Sequence, residues 1–536
     1  MKTRPSIAIL GVPFDNVTTA EALERIEEMI VSRKPRYVAT ANVDFLVQAR
    51  EDVELRRILF DADLVLCDGT PLLWVSRWLG NALSERVAGA DIVPLLMELC
   101  AEKKYRVFLL GATPESVRKA AARLGEAYPE LIIADYYSPP FNKLIEMDHD
   151  EIKRRVLAAK PDLLLVSLGC PKQEKWIAMH YRSLGVPVSV GVGATIDFLA
   201  GQVRRAPAWM RRNGVEWVYR LVQEPRRLFH RYMKDLWAFG GSIAGQWWTL
   251  QFRNTEVSAT GTPSKMLRAN PIIPCQVVAC PTYLDVSAAQ KDALKINRIV
   301  AVGRHCFLRM SSVKRIDSTG LAYLINLQKK LRGAGYELIL LAPSAIVSGA
   351  LESMRIQEFF ASAPDLQTAQ YLLQVRARQQ SVVVTLRTAA AVSPLVWHGE
   401  ITAANADRVW DITRTFVETW RPERELTLDM ADVRFIDSSG LGLMVRAKKL
   451  AWQRGLNLTF RGLQPAVQNV VHVARLEAFL QSREAAAPKP APKRQPPRQK
   501  PLEVEGNEVT ASLLQPASIG MLAEPVTNRE FAASSE

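Results

Sequence analysis

YVATANVDFLV (Tyr37–Val47) is the stretch on which the fold turns. A short apolar run ends in the polar residues Thr40 and Asn42, then restarts with helical spacing. ADLVLCDGTPLLW (Ala62–Trp74) repeats the pattern, with Asp68 and Gly69 at the break and Pro71 suited to a first helical turn. Each reads as a strand, a turn and a helix. In a parallel sheet both turns fall at the carboxyl edge, where open α/β sheets bind ligands. Asp68 is then either a carboxylate at the mouth of a cleft or a helix cap.

Working outward, three further units follow. YRVFLLGATPESVRKAAARL (Tyr105–Leu124) gives a strand, Gly111, Thr113 as N-cap and Pro114 at the helix start. PDLLLVSLGCPKQEKWI (Pro161–Ile177) and VPVSVGVGATIDFLAG (Val186–Gly201) give two more strands ending in glycine-containing loops. Five such units predict an α/β domain with a Rossmann-like parallel sheet covered by helices. No GxGxxG follows a strand in the right setting, so no dinucleotide cofactor is expected. Asp61-Ala62-Asp63 is an Asp-x-Asp by spelling, but it precedes its strand; no metal site is expected there.

Beyond a polar stretch (Arg253–Pro271) the chain repeats itself. VKRIDSTGLAYLINLQKKLRGAGYELILLAPS (Val313–Ser344) aligns with VRFIDSSGLGLMVRAKKLAWQRGLNLTFRGLQ (Val433–Gln464) at an offset of 120 residues. That is the length of a duplicated small domain, longer than the ~20–50 residues of a solenoid period. The reading divides the chain into an α/β domain (1–240), a linker (241–271), two small α/β domains (272–376 and 380–483) and a Pro-, Ala- and Lys-rich tail (484–536) expected to be disordered.

Composition narrows the partners. The 536 residues are 48% hydrophobic, with a net charge of +14. No run reaches the ~18 apolar residues of a membrane span, and the opening MKTRPSIAILGVPFD is too short in apolar residues for a secretory signal. Six scattered cysteines read as free thiols of a reducing cytosol. The positive charge concentrates between Arg204 and Lys234 and again in the tail. Charge alone would admit nucleic acid, but no reading module accompanies it, so no nucleic-acid partner is expected.

In order and spacing, TANVDFL, CDG, ERVAGAD, GCPKQE, GVGATIDFLAG and RRAPAWMRRNGVEWVYRLVQEPRRLFHRY resemble the WecG/TagA/CpsF family of bacterial glycosyltransferases, over about residues 7–240. The two DS(S/T)G repeats resemble STAS domains, more strongly in the second copy. The transferase resemblance implies transfer from a UDP-sugar to a polyprenyl-diphosphate-linked acceptor in cell-surface polysaccharide assembly, usually with inversion. It implies Asp68 as general base, with Thr40 and Asn42 orienting hydroxyls. Arg86 would meet the leaving diphosphate, with a surface ion pair to Glu85 or Asp91 as the alternative. Gln173 would meet a sugar hydroxyl or the uracil edge, and Arg220, Arg227 and Arg231 would bind substrate.

From Pro225 onward, helical spacing puts Arg227, Arg231 and Lys234 on one side and Leu228, Phe229, Tyr232, Met233 and Leu236 on the other. That face meets either an anionic membrane surface, peripherally at the cytoplasmic side, or the domain's own core. The STAS resemblance implies Ser318 and Ser438 as phosphorylation targets for a kinase, or as helix N-caps, with a protein partner for the repeats. The rival reading is a STAS-based signalling scaffold with an inactive transferase half. On the transferase reading, a chain ending near Asn254 keeps the chemistry.

Overall fold

The computed structural model describes residues 4–202, 206–207, 209–210, 216–223, 225–252, 273–386, 395–420 and 425–482. Residues 253–271 and the tail, assigned above as linker and disordered extension, lie outside the described residues.

The first half opens with a hairpin, β1 (Ile7–Ile9) and β2 (Val12–Phe14), followed by α1 (Thr19–Ser32). Then come β3 (Arg36–Ala41), α2 (Val43–Glu51), α3 (Val53–Asp61), β4 (Leu64–Cys67), α4 (Thr70–Trp78) and α5 (Gly89–Lys103). They continue through β5 (Arg106–Gly111), α6 (Pro114–Ala127), β6 (Ile132–Tyr137), α7 (His149–Ala159) and β7 (Leu163–Ser167). The half closes with α8 (Lys172–Leu184), β8 (Val188–Gly191), α9 (Thr195–Leu199), α10 (Glu216–Gln223) and α11 (Pro225–Phe252).

Six strands form one parallel sheet in the order β4-β3-β8-β7-β5-β6. Strands β4, β7 and β8 are buried throughout, as near-continuous Val/Leu runs covered by helices on both faces require. The order sets the carboxyl ends of β4, β3, β8 and β7 side by side, at about 4.8 Å per strand. The helix-start signals also hold. Thr113 accepts the Ser116 N–H at 3.1 Å, and Pro114 opens α6.

The second half carries β9 (Cys275–Ala279), β10 (Tyr283–Leu284), α12 (Val286–Gln290), α13 (Ile296–Ala301), β11 (His305–Arg309) and β12 (Arg315–Ile316). It continues with α14 (Ser318–Gly333), β13 (Leu338–Leu341), α15 (Ala345–Ser353), β14 (Ala361–Ala363) and α16 (Leu366–Ser381). The second copy comprises β15 (Val384–Leu386), β16 (Leu395–Ile401), α17 (Ala406–Thr419), β17 (Glu425–Ile436), α18 (Ser438–Gln453), β18 (Asn457–Arg461), α19 (Pro465–Val473) and α20 (Glu477–Gln481).

The 120-residue offset carries α14 onto α18 and α15 onto α19, residue for residue. It carries β11 and β12 together onto the single strand β17, so the first copy breaks what the second keeps continuous. In both copies the glycine of the motif is a packing requirement. A Cβ on Gly320 would lie 1.9 Å from the Leu284 carbonyl oxygen, and one on Gly440 2.6 Å from that of Ile401.

Two expectations need correction. The border drawn at 240/241 falls inside α11, which runs unbroken to Phe252. Phe239, Ile243 and Gln246 are buried at helical spacing and hold the helix to the domain. The halves also do not stand apart. Ala8, Val53 and Phe60 of the first half lie in the same apolar core as both repeats, with Phe60 edge-on to Phe359 at 5.1 Å.

Candidate functional site

Asp68 follows β4 directly, half-buried, with its N–H donated to the Ala41 carbonyl at 2.9 Å. That bond ties it to the end of β3, one residue before Asn42. It is not the cap of α4; that position is Gly69, which makes no side-chain cap bond. The Val87 N–H bonds the Cys67 carbonyl at 2.9 Å, bringing Arg86 alongside the same strand end. Burial, with Asp68 adding to it, pushes the Cys67 thiol up to about 12.

Arg86 is a junction of charges. Its guanidinium donates to Asp91 at 2.6 Å and to Glu216 at 3.1 Å. Burial works against its charge, but Asp91, Asp68 and Glu216 together hold its pKa above the ordinary value. The expected ion pair with Asp91 is present; Glu85 instead accepts from Thr19. The link to Glu216 was not read from the sequence. It fastens α10, which comes from the basic segment, to the Asp68 corner.

Thr40 is buried and donates its hydroxyl to the Gly191 carbonyl at 2.9 Å, joining β3 to β8. Asn42 is the N-cap of α2, its Oδ1 accepting the Phe45 N–H at 3.3 Å. Gly89 opens α5 beside them. Its absent side chain would lie 3.5 Å from both the Thr40 and the Thr195 hydroxyl. The start of a fifteen-residue helix therefore faces this corner, a setting that favours negative charge.

Gln173 is only 1% exposed. Its Oε1 accepts the Gly169 and Gly193 N–H groups, each at 3.2 Å, and its Nε2 donates to Glu174 at 2.7 Å. These bonds lock the loop after β7 to the loop after β8. In this arrangement the Oε1 of Gln173 and one of its Nε2–H groups are engaged within the protein. Glu174 beside it is raised to about 7 by burial, with the Gln173 amide pulling the other way. Asp197, half-buried at the start of α9, is another carboxylate at this edge that the sequence reading quoted within a motif without singling it out.

The backbones of Arg220, Arg227 and Arg231 lie on α10 and α11; their side chains lie outside the described residues, as does Arg204 altogether. The apolar positions of α11 split. Phe229, Met233, Leu236 and Trp237 are exposed, Leu236 at 64% and Trp237 at 78%. Asp235, Phe239, Ile243 and Gln246 face inward. Trp78 of α4 stacks on Trp247 of α11, ring centroids 5.3 Å apart, so the helix after Asp68 and the long helix are joined. No helix among the described residues is long and apolar enough to cross a membrane.

Asp61 and Asp63 sit at the opposite sheet edge and are engaged there. Asp61 pairs with Arg57 at 2.6 Å, and Asp63 accepts the Tyr37 N–H at 3.1 Å.

Ser318 and Ser438 are both buried, and neither is a helix cap, which corrects that expectation. The caps are Asp317 and Asp437, each accepting two N–H groups of the following turn at 2.8–3.0 Å. The sequence spacing pointed to the serine, but the carboxylate one residue earlier has the better reach. Both serines instead meet the first half. Ser318 Oγ accepts from Gln246 of α11 at 2.9 Å, and Gln246 also bonds Ala8 and Leu10 of the hairpin. Ser438 Oγ donates to Glu54 of α3 at 2.8 Å, and its N–H bonds the same carboxylate. Lys175 of α8 closes this cluster, 2.8 Å from Glu54 and 2.7 Å from Asp52.

Residues 7–253 match the model of the glycosyl transferase WecG/TagA/CpsF family, residues 270–369 the STAS domain and residues 373–481 the Mlab STAS domain. An N-acetylglucosaminyldiphosphoundecaprenol N-acetyl-beta-D-mannosaminyltransferase of Staphylococcus aureus (strain MW2) is 30% identical over 224 residues, covering 41% of this chain and 86% of that protein. The protein of the same name from Bacillus subtilis (strain 168) is 30% identical over 220 residues, 41% of this chain and 84% of its own length. The chain belongs to the WecG/TagA/CpsF glycosyltransferase family. Its two repeats are STAS domains. In this family member the STAS motif loops are packed against the transferase half, at α3 and α11.

Proposed function

We propose that this chain transfers a sugar from a UDP-sugar to a polyprenyl-diphosphate-linked acceptor, with its relatives' N-acetylglucosaminyl-diphosphoundecaprenol as the model acceptor. The observation that carries the reading is the corner of Asp68, Arg86, Thr40 and Asn42 at one edge of the sheet. Asp68 takes the proton of the attacking acceptor hydroxyl. The hydroxyl attacks the anomeric carbon as the bond to the diphosphate breaks, and inversion follows from a single displacement. Arg86 and the start of α5 face the charge that grows on the leaving UDP.

The exposed apolar stripe of α11, joined to α4 through Trp78 and Trp247, supports a peripheral seat on an anionic membrane surface. Tryptophan and basic residues suit that boundary. There the lipid-linked acceptor and the Asp68 edge meet. The STAS domains, which we place at about 272–376 and 380–483, act as regulatory modules on this transferase.

The test is purified full-length protein with a set of UDP-sugars and a short-chain polyprenyl-diphosphate N-acetylglucosamine, read by UDP release and product mass. Transfer from one donor, lost in Asp68→Asn, is the expected result. Absence of turnover with every UDP-sugar would leave the signalling-scaffold reading in its place.

A further inference from the structure

A cavity of about 650 Å³ lies where the transferase half and both STAS repeats meet. Its lining comes from the end of α2, from Pro171 before α8, from the segment after α15 and from α19. The size falls within the range of small-molecule sites. Four arginines stand on it: Arg56, which is paired with Glu358, and one more from each module, Arg50, Arg355 and Arg475. Arg355 and Arg475 occupy the same position in the two repeats, at the offset that relates Ser318 to Ser438. Both hold a left-handed backbone, φ +55° and +56°, immediately beyond equivalent helices. The duplication thus delivers one arginine twice to one cavity.

None of the three has a carboxylate within ion-pair distance among the described residues. Of the carboxylates beside them, Glu51 lines the cavity and acts on Arg50, and the other two are committed elsewhere. Glu358 pairs with Arg56 at 3.0 Å, and Asp52 with Lys175 at 2.7 Å. Arg56 also bonds the Arg355 carbonyl at 2.6 Å, and Arg355 bonds that of Arg50 at 2.8 Å, so the cationic groups are held close. Burial first, and the neighbouring Arg355 next, press Arg50 below its ordinary pKa. Three arginines set against the single uncommitted carboxylate of Glu51 leave an excess of positive charge, which an anion with several oxygens relieves and guanidinium groups match in pairs. Pro171 and Val473 add apolar wall, and the Gln48 side chain adds an amide.

We propose that this junction is a binding site for a phosphorylated small molecule of nucleotide size, held by Arg50, Arg355 and Arg475. A ligand there touches all three modules at once and favours their assembled state. It sits at the far end of α2 from Asn42 and one residue before α8, the helix of Gln173. The experiment titrates full-length protein with ATP, GTP and inorganic pyrophosphate and follows thermal unfolding. The expected result is a saturable rise in the midpoint with at least one of the three, with apparent affinity falling at least tenfold in Arg355→Gln and in Arg475→Gln. Arg454→Gln, on an exposed position of the second repeat outside the cavity, keeps the wild-type response. No rise with any probe overturns the proposal, as does a wild-type response in both cavity variants.

Discussion

Asp68 is placed by two neighbouring strands, and Gln173 by two loops, so one edge of the sheet holds one residue proposed for chemistry and one that braces the loops beside it. Asp68→Asn keeps the size and removes the base, so kcat should fall by ~10²–10⁴ with UDP affinity within a few-fold. Turnover near wild type would remove Asp68 from that role. Gln173→Ala should act differently, because two N–H groups lose their acceptor inside the protein. A loss of about 1–3 kcal/mol in denaturant unfolding is expected. An unchanged stability with a raised KM would make Gln173 a ligand of the sugar instead. The sequence displayed Asp68, Thr40 and Asn42 because each sits where an apolar run breaks. It concealed the engagement of Gln173, since an amide bonded to backbone groups and one bonded to substrate look alike in one dimension. The Arg86–Glu216 pair was equally hidden, its partners being 130 residues apart.

Among the elements, α11 shows how far periodicity reaches. Helical spacing set Lys234 against Phe229, Met233 and Leu236, yet all four are exposed, because amphipathicity does not say which face meets protein. Asp235, Phe239 and Gln246 turn inward while Leu236 and Trp237 turn out; Phe239 enters the transferase core, and Gln246 meets the hairpin and the first STAS repeat. The exposed stripe gives a direct expectation. Leu236→Asp with Trp237→Asp should abolish co-sedimentation with anionic vesicles while helical circular dichroism persists, since neither residue is buried. Retained co-sedimentation would remove this face from membrane contact. Five of the sheet's six strands were legible because buried parallel strands are short, apolar and sharply bounded; β6, at the sheet's edge and only partly buried, was not among them. The repeat's first copy was harder to read for a physical reason: its single strand is divided into β11 and β12, which pair in different sheets.

For the whole molecule, the joints between modules are built largely from ionisable groups. Burial, with Glu54 adding to it, raises Asp437 to about 7, and burial raises Glu174 to about 7. A carboxyl raised on folding contributes stability that is complete below its unfolded value and lost as pH climbs through about 7. Glu400 is the reverse. Burial would raise it, but Arg57, Arg332, Arg434 and Arg376, drawn from all three modules, bring it down to about 2. Its contribution is complete above about 4.5 and lost as pH falls toward 2. Stability should therefore rise as pH drops from 8 to 6, with each raised carboxyl adding up to about 1.4 kcal/mol per pH unit. Asp437→Asn keeps the cap acceptor and should flatten that slope; an unaltered slope would discount Asp437. Ser438→Asp sets a carboxylate against Glu54 and should release the second repeat, seen as faster amide exchange in α3 and α18. Unchanged exchange would show the joint indifferent to that charge. A chain ending near Asn254 retains every residue assigned to the chemistry, yet bares Val53 and Phe60, so its unfolding midpoint should fall. The two copies of one ancestral loop have meanwhile settled on unlike partners, a neutral amide for Ser318 and a carboxylate for Ser438. Both contacts are buried, but only the second is made to an ionisable side chain. A substitution at Glu54 therefore reaches the later copy of the loop alone, and one at Gln246 the earlier alone.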